Sequence, residues 1–265
     1  MTTRLAVLGC GNMGSAIALG LHARGAPFAF FCYTPTHTRA AALARRVGGV
    51  AARALAELAR CEYFLLACKP QQFPELAAAL RPILPAGARI VSMLAGTSTE
   101  KLRAALGQAK IARAMPNTPC AIGEGATAIY CLGMDAAERA IVRAIFAAVG
   151  AVFEVDSDDA IDLATAIVGS GPAYFFEIAR ILAHKLAAMG LPADIAAGMA
   201  AHVIKGAGAL LVQSADSAET LREKVTSKKG TTAAALDCLR ANHLERILGE
   251  ALDAAYRRAK ELASA

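Results

Sequence analysis

The sequence predicts an α/β domain over residues 1–157 and an all-helical domain over 158–265. Three observations carry that reading. Short apolar runs alternate with helix-forming segments up to about residue 155, the pattern of a mostly parallel sheet with right-handed crossovers. Beyond Asp158 the strand signals stop, and long Ala-rich stretches take over. Finally, 56% hydrophobic against 19% charged residues is a globular composition with ample material for a core.

Taken in order, Leu5–Leu8, Phe28–Tyr33, Tyr63–Ala67, Ile90–Met93 and Ile111–Ala114 read as buried strands. Met13–Arg24, Thr38–Val47 and Glu75–Leu80 are the helices between them, and Ala126–Leu132 and Ala151–Val155 are two further strands around a helix at Ala136–Val149. The acidic cluster Asp156–Asp159 marks the boundary and offers an N-cap. Breaks in the helical half are expected at Gly169-Ser170-Gly171-Pro172, Gly190-Leu191-Pro192 and Lys229-Gly230.

Composition also excludes function classes. Seven scattered cysteines with no C-x-x-C pair point to buried thiols in a reducing compartment and not to a disulfide framework. The Leu5–Leu8 run breaks at once into glycines, unlike a cleavable signal, and no uncharged apolar run reaches the roughly 18 residues of a membrane helix. A cytoplasmic location and no membrane partner are expected. Net charge is +6, but Lys and Arg are spread along helices, which argues against nucleic acid and suits anionic small molecules. The five histidines are dispersed, and neither a metal-ligand cluster nor a nucleophile–base pair stands out.

Gly9-Cys10-Gly11-Asn12-Met13-Gly14 is G-x-G-x-x-G, placed between a strand and a helix. Gly9 permits the tight turn, Gly11 lets a pyrophosphate approach, and Gly14 allows close helix–strand packing, while the helix start offers unpaired N–H groups, among them those of Asn12 and Met13. The end of the second strand carries no carboxylate for a ribose 2′-hydroxyl. It reads Tyr33-Thr34-Pro35-Thr36-His37-Thr38-Arg39, in which Thr34, Thr36 and Arg39 suit a 2′-phosphate. NADPH is therefore favoured, with NADH the alternative. Lys69 and Pro70 follow the third long strand and Ala95-Gly96 the fourth, where open α/β sheets bind ligands. The prolines around Asn117 stiffen Met115–Pro119 and present a polar amide at a set position, making Met115 and Asn117 cofactor candidates.

With these pieces placed, the chain resembles pyrroline-5-carboxylate reductases over nearly its full length. The resemblance rests on the order of Gly9–Gly14, Tyr33-Thr34-Pro35, Cys68-Lys69-Pro70, Ala95-Gly96, Arg113–Pro119, Gly169–Tyr174 and Val225-Thr226-Ser227 through Gly230-Thr231-Thr232. It implies a Rossmann-type doubly wound sheet joined to a helical dimerisation and substrate-binding domain. A homodimer, open to assembly into a larger ring, would form the active site between a cofactor domain and the helical domains. It also implies reduction of 1-pyrroline-5-carboxylate to L-proline by direct hydride transfer. Ser227, Gly230, Thr231 and Thr232 match the family's substrate loop. The backbone of Gly230 and Thr231 would hold the substrate carboxylate, and the Thr232 hydroxyl would hold the imine nitrogen as the catalytic contact.

The chain departs from the family at two places. The loop normally reads Ser-Pro-Gly-Gly, whereas this chain has Ser227-Lys228-Lys229-Gly230, which removes a preset turn and adds two cations expected to favour anion binding. His184-Lys185 stands where small and acidic residues are usual. The alternatives are a related cyclic-imine reductase acting on piperideine carboxylate, and a non-catalytic NADP-binding accessory protein. A β-hydroxyacid dehydrogenase is a further rival, disfavoured because no Lys follows the Gly169–Gly171 turn until Lys185.

Overall fold

Successive residues of the first strand face opposite ways, and both sides are apolar, because this strand lies at the centre of a sheet covered on both faces. A computed structural model describes residues 2–264. In chain order, the first part comprises β1 (Thr3–Leu8), α1 (Asn12–Ala23), β2 (Phe28–Tyr33), α2 (Thr38–Val47), β3 (Val50–Ala51), β4 (Tyr63–Leu66), α3 (Phe73–Leu80), β5 (Arg89–Ser92), α4 (Thr99–Leu106), β6 (Lys110–Pro116), β7 (Gly125–Leu132), α5 (Ala136–Ala147) and β8 (Gly150–Glu154). The eight strands run in the order β3-β2-β1-β4-β5-β6-β7-β8, parallel except for the antiparallel β6–β7 pair. This order doubles back at β1, so β1 and β4 flank the switch point where α/β sheets bind ligands.

Leu5 and Val7 of β1 pack with Ile17 and Leu21 of α1, Leu43 and Val47 of α2, and Phe146 of α5. Ala6 and Leu8 point the other way, onto Phe73 and Leu80 of α3 and Leu102 and Leu106 of α4. The two layers of helices therefore hold the carboxyl ends of the strands in fixed relation.

The rest is helical: α6 (Asp158–Ala164), a π-turn at Thr165–Gly169, α7 (Gly171–Ala188), α8 (Ala193–Gln213), α9 (Ala218–Lys224), α10 (Thr231–Ala241) and α11 (Leu244–Ser264). The chain divides into two compact units, Met1–Ser170 with Ala255–Ala265, and Gly171–Ala254.

One local expectation holds and one is corrected. Around Gly169–Pro172 the regular helix is interrupted as expected, by a π-turn over Thr165–Gly169 and a turn at Ser170, after which α7 starts at Gly171. Pro172 sits in the first turn of α7, where its missing N–H costs little. The N-cap of α6 is Ser157, whose hydroxyl accepts from the Ala160 amide, and not an aspartate. Asp158 and Asp159 are engaged elsewhere.

The 31-residue helical stretch Asp158–Ala188 and α8 are long and apolar enough to cross a membrane by length and composition, and only 11% of each apolar window is buried. Phe176, Val203 and Val212 are 67%, 65% and 86% exposed, so these helices present an apolar surface that needs a covering partner.

Candidate active site

The glycine loop joins β1 to α1, and each glycine has a distinct reason to be one. Gly9 has φ +107, and a Cβ there would lie 2.5 Å from the Ala67 carbonyl. A Cβ on Gly14 would lie 2.2 Å from the Gly9 carbonyl oxygen, so only glycine lets α1 seat this closely. Nothing lies within 4 Å of a Cβ built on Gly11, which leaves an open face at the helix start. Gly11 is also the N-cap of α1 and supplies no side-chain acceptor, so the first N–H groups of the helix remain for a ligand. A dinucleotide pyrophosphate fits this cradle.

The loop opens into a groove of about 730 Å³ reached by Asn12, Met13, Cys68, Lys69, Arg39 and Arg46. Arg39, Arg46 and Lys69 bring three cations to it, and no carboxylate lines it, so the local field favours a polyanion. Arg46 carried no sequence motif. It comes in because it lies two helical turns beyond Arg39 on the same side of α2.

The other candidates are placed as follows. The Thr34 hydroxyl accepts from the buried Ala40 amide, and the Thr34 carbonyl accepts from His37, so this residue shapes the start of α2. The Thr36 side chain is exposed, while its carbonyl accepts from Thr38. His37 between them has φ +59. Lys69 precedes a short 3-10 turn begun by Pro70, and its amide donates to the Gln72 side chain.

Gly96 has φ +69, and a Cβ there would lie 2.7 Å from the Leu262 backbone, so the end of α11 packs on this turn. Met115 is buried with Ala128 and Ile161, with Ala95 packed against them. Asn117 Oδ1 accepts from the Ala126 amide at 2.9 Å, which fixes the side chain and leaves the amide nitrogen as its donating end. Cys10 is buried facing carbonyls of Val7 and Tyr33. A hydrogen bond with Cys32 and another with the Tyr33 backbone hold its thiol below the usual range despite burial. Burial pushes the Cys68 thiol up.

The helical unit carries the second candidate site. Gly230 is the N-cap of α10, its amide donates to the Ser227 carbonyl, and a Cβ on it would lie 2.2 Å from Ser227 Oγ. Without a side-chain cap, the first amides of α10 join the hydroxyls of Thr231 and Thr232 in a setting suited to a carboxylate. Lys229 adopts φ +61. The turn is thus made with a left-handed non-glycine residue, at a cost of roughly 1 kcal/mol. The cofactor candidates lie in the first unit, and Ser227, Gly230, Thr231 and Thr232 in the second.

Sequence reasoning missed one buried feature. Arg113 of β6 is 2% exposed and donates to Asp158 Oδ1 at 2.7 Å and Asp162 Oδ1 at 2.8 Å. The available signal was an arginine inside an otherwise apolar strand two residues before Met115.

Fold and loop together define a Rossmann-type oxidoreductase dependent on a nicotinamide dinucleotide. A family model described as NADP oxidoreductase, coenzyme F420-dependent, matches residues 4–96, and one described as pyrroline-5-carboxylate reductase dimerisation matches 158–262. The pyrroline-5-carboxylate reductase of Pseudomonas aeruginosa is 34% identical over 99% of this chain and 97% of that protein. Among solved structures, a pyrroline-5-carboxylate reductase from Coxiella burnetii superposes with TM-score 0.92 at 30% identity, covering 99% of both chains. Pyrroline carboxylate reductase of Plasmodium falciparum with NADP bound gives 0.85 at 27%, covering 98% of both. The chain belongs to the pyrroline-5-carboxylate reductase family.

Proposed function

We propose that this protein reduces 1-pyrroline-5-carboxylate to L-proline with NADPH. One observation carries the reading. A loop shaped for a dinucleotide and a helix start shaped for a carboxylate occur in one chain that matches named pyrroline-5-carboxylate reductases from end to end. NADPH, when bound, would supply the hydride for the imine carbon, which becomes C5 of proline. The protein's task is to bind, orient and exclude water, which supplies much of the rate for a substrate already electrophilic.

In this reading the free amides after Gly11, including those of Asn12 and Met13, hold the pyrophosphate, with Gly9 and Gly14 keeping the loop in shape. Arg39 holds the 2′-phosphate with the Thr34 and Thr36 segment, and Lys69 and Pro70 border the same groove. Ala95, Gly96, Met115 and Asn117 form the nicotinamide side. The backbone at Gly230 and Thr231, where the Thr231 amide opens α10, holds the substrate carboxylate with Ser227, and the Thr232 hydroxyl steadies the imine nitrogen as it gains its proton. Residues 1–157 act as the cofactor domain and 158–265 as the dimerisation and substrate domain.

The dimerisation model spans both long apolar helices, which supports a homodimer covering them and no membrane partner. Assembly of dimers into a ring and a cytoplasmic location complete the proposal. The test is NADPH consumption with 1-pyrroline-5-carboxylate beside its six-membered homologue. Faster turnover of the five-membered ring is expected. Preference for the six-membered ring would move the protein to the piperideine substrate, and NADPH binding without turnover of either would make it an accessory protein.

A further inference from the structure

Two carboxylate clamps tie β5 and the segment after it to β6. At the amino ends of the two strands Glu138 of α5 accepts from Arg89 at 2.7 Å and from Lys110. On the far side Asp158, the first residue of α6, accepts from the Thr99 amide at 3.1 Å and from the Thr99 hydroxyl at the start of α4, and pairs with Arg113, which stands mid-way along β6 opposite Ser92, the last residue of β5. Asp162, one turn on, takes the other arm of the Arg113 guanidinium. Thr99 is 5% exposed, Arg113 2% and Asp162 4%.

The second clamp joins two segments distant in sequence. Thr99 begins α4, three residues after Gly96, and Arg113 precedes Met115 by two. Both Arg113 and Met115 point to the same face of β6. The helix carrying the aspartates then enters the π-turn, where a Cβ on Gly169 would lie 3.3 Å from the Met115 sulfur. The backbone at Gly169 thus lies close against Met115, in the segment the clamp holds. π-turns of this kind recur at functional sites.

We infer that Asp158, Arg113, Asp162 and Thr99 are positioning residues that set the Ala95–Gly96 turn against the Met115–Asn117 segment, and so fix the pose of the nicotinamide ring. The inference rests on the proposed assignment of those two segments to the nicotinamide side. Asp158 and Arg113 do not themselves contact the cofactor. A buried guanidinium held by two carboxylates is a demanding arrangement, since removing one partner leaves an uncompensated charge. Here that arrangement stands where register between two strand ends decides how a ring is held.

The test compares Asp158→Asn and Thr99→Val with Glu138→Gln, which breaks the other clamp, at the amino ends of the same strands. Because Arg113→Met would leave Asp162 unpaired and could fail to fold, Arg113→Lys replaces it. The readouts are the emission of the reduced nicotinamide in bound NADPH, and the affinities for NADPH and for adenosine 2′,5′-bisphosphate, all taken on folded protein below the melting temperature. In the Asp158, Thr99 and Arg113 variants the emission is expected to shift toward that of free NADPH. NADPH affinity should fall ~10-fold, the equivalent of one lost charge-assisted contact, with affinity for the bisphosphate unchanged. Glu138→Gln should lose thermal stability and change neither. Wild-type emission in Asp158→Asn, or an equal shift in Glu138→Gln, would overturn the inference. None of these readouts needs an imine, so a wild-type protein that binds NADPH but reduces no imine would refute the proposed function while leaving this comparison intact.

Discussion

The first unit covers both faces of its sheet with its own helices, whereas the second leaves much of its apolar surface bare. In β1, β4 and β5, residues such as Leu5, Phe64 and Ile90 are fully buried by helices of the same unit. Along α7 and α8, by contrast, Phe175, Phe176, Ile181, Met199 and Val203 are half or more exposed. The chemistry divides in the same way. The cation-lined groove lies within the first unit, while the helical unit offers a loop and a bare apolar surface. The contrast teaches that cofactor binding and assembly are separable properties, and that separation can be attacked from either side.

The largest effect expected is from Gly14→Val. A side chain there meets the Gly9 carbonyl, pushes α1 off the loop and removes the amides from the pyrophosphate. NADPH affinity should fall by roughly 100-fold or more, as for the loss of one or two charge-assisted hydrogen bonds. Sedimentation should show an unchanged oligomer. The converse variant, Phe176→Glu with Val203→Glu, places charges on the bare helices. Its dimer dissociation constant should rise roughly 100-fold or more, since a buried unpaired charge costs about 3–5 kcal/mol, while NADPH titration stays as in wild type. Should both properties fail together in either variant, the division is wrong.

Arg39→Gln comes next. With Arg39 on the 2′-phosphate as proposed, its loss should cut the preference for NADPH over NADH by ~10-fold or more, seen in the ratio of kcat/KM values. Arg46 gives this experiment its internal comparison, because it lines the same groove from farther along α2.

Glu138 offers a pH signature within the first unit. Burial works against its ionisation, but Lys110, the Asp135 amide and Arg89 outweigh that and hold its carboxyl below the usual range. A depressed carboxylate contributes stability above its unfolded pKa and loses it as pH falls through the folded value. The protein should therefore weaken on acidification below about pH 4.3, the ordinary glutamate value. Glu138→Gln should cost roughly 2 kcal/mol at neutral pH and flatten that acid limb, as thermal melts across pH would show.

The smallest effect concerns Lys229. Replacing it with glycine relieves a left-handed lysine but adds chain entropy, so a gain of only about 0.5 kcal/mol is expected. If its cation helps hold the substrate carboxylate, KM for the imine should rise in the same variant, separating stability from binding within one loop.

Much of this was legible in the sequence, and the exceptions share a physical cause. The glycine loop and the strand–helix alternation are local patterns, so residues 9–14 and the long strands could be read directly. The strand β3 has two residues and no periodicity to detect. Helix α4 carried its signals in Leu102, Leu106, the Ser98 cap and Gly107, but its charged face hid them. Gly169–Pro172 could be read as an interruption because glycine and proline usually end helices, but the π-turn before it, over Thr165–Gly169, has no local sequence signal. The clamp at Asp158 was invisible for a different reason. Its partners, Thr99 and Arg113, lie 59 and 45 residues away, and no local rule connects them.

The central claim is that this chain holds NADPH in its first unit and uses it to reduce the five-membered cyclic imine. The most direct measurement is single-turnover reduction of 1-pyrroline-5-carboxylate with NADPH deuterated at C4 on one face, followed by analysis of the product. The account predicts L-proline carrying deuterium at C5 from one of the two C4-labelled forms and none from the other. Bound NADPH that leaves the imine unreduced, or proline formed without the label from either form, would contradict it.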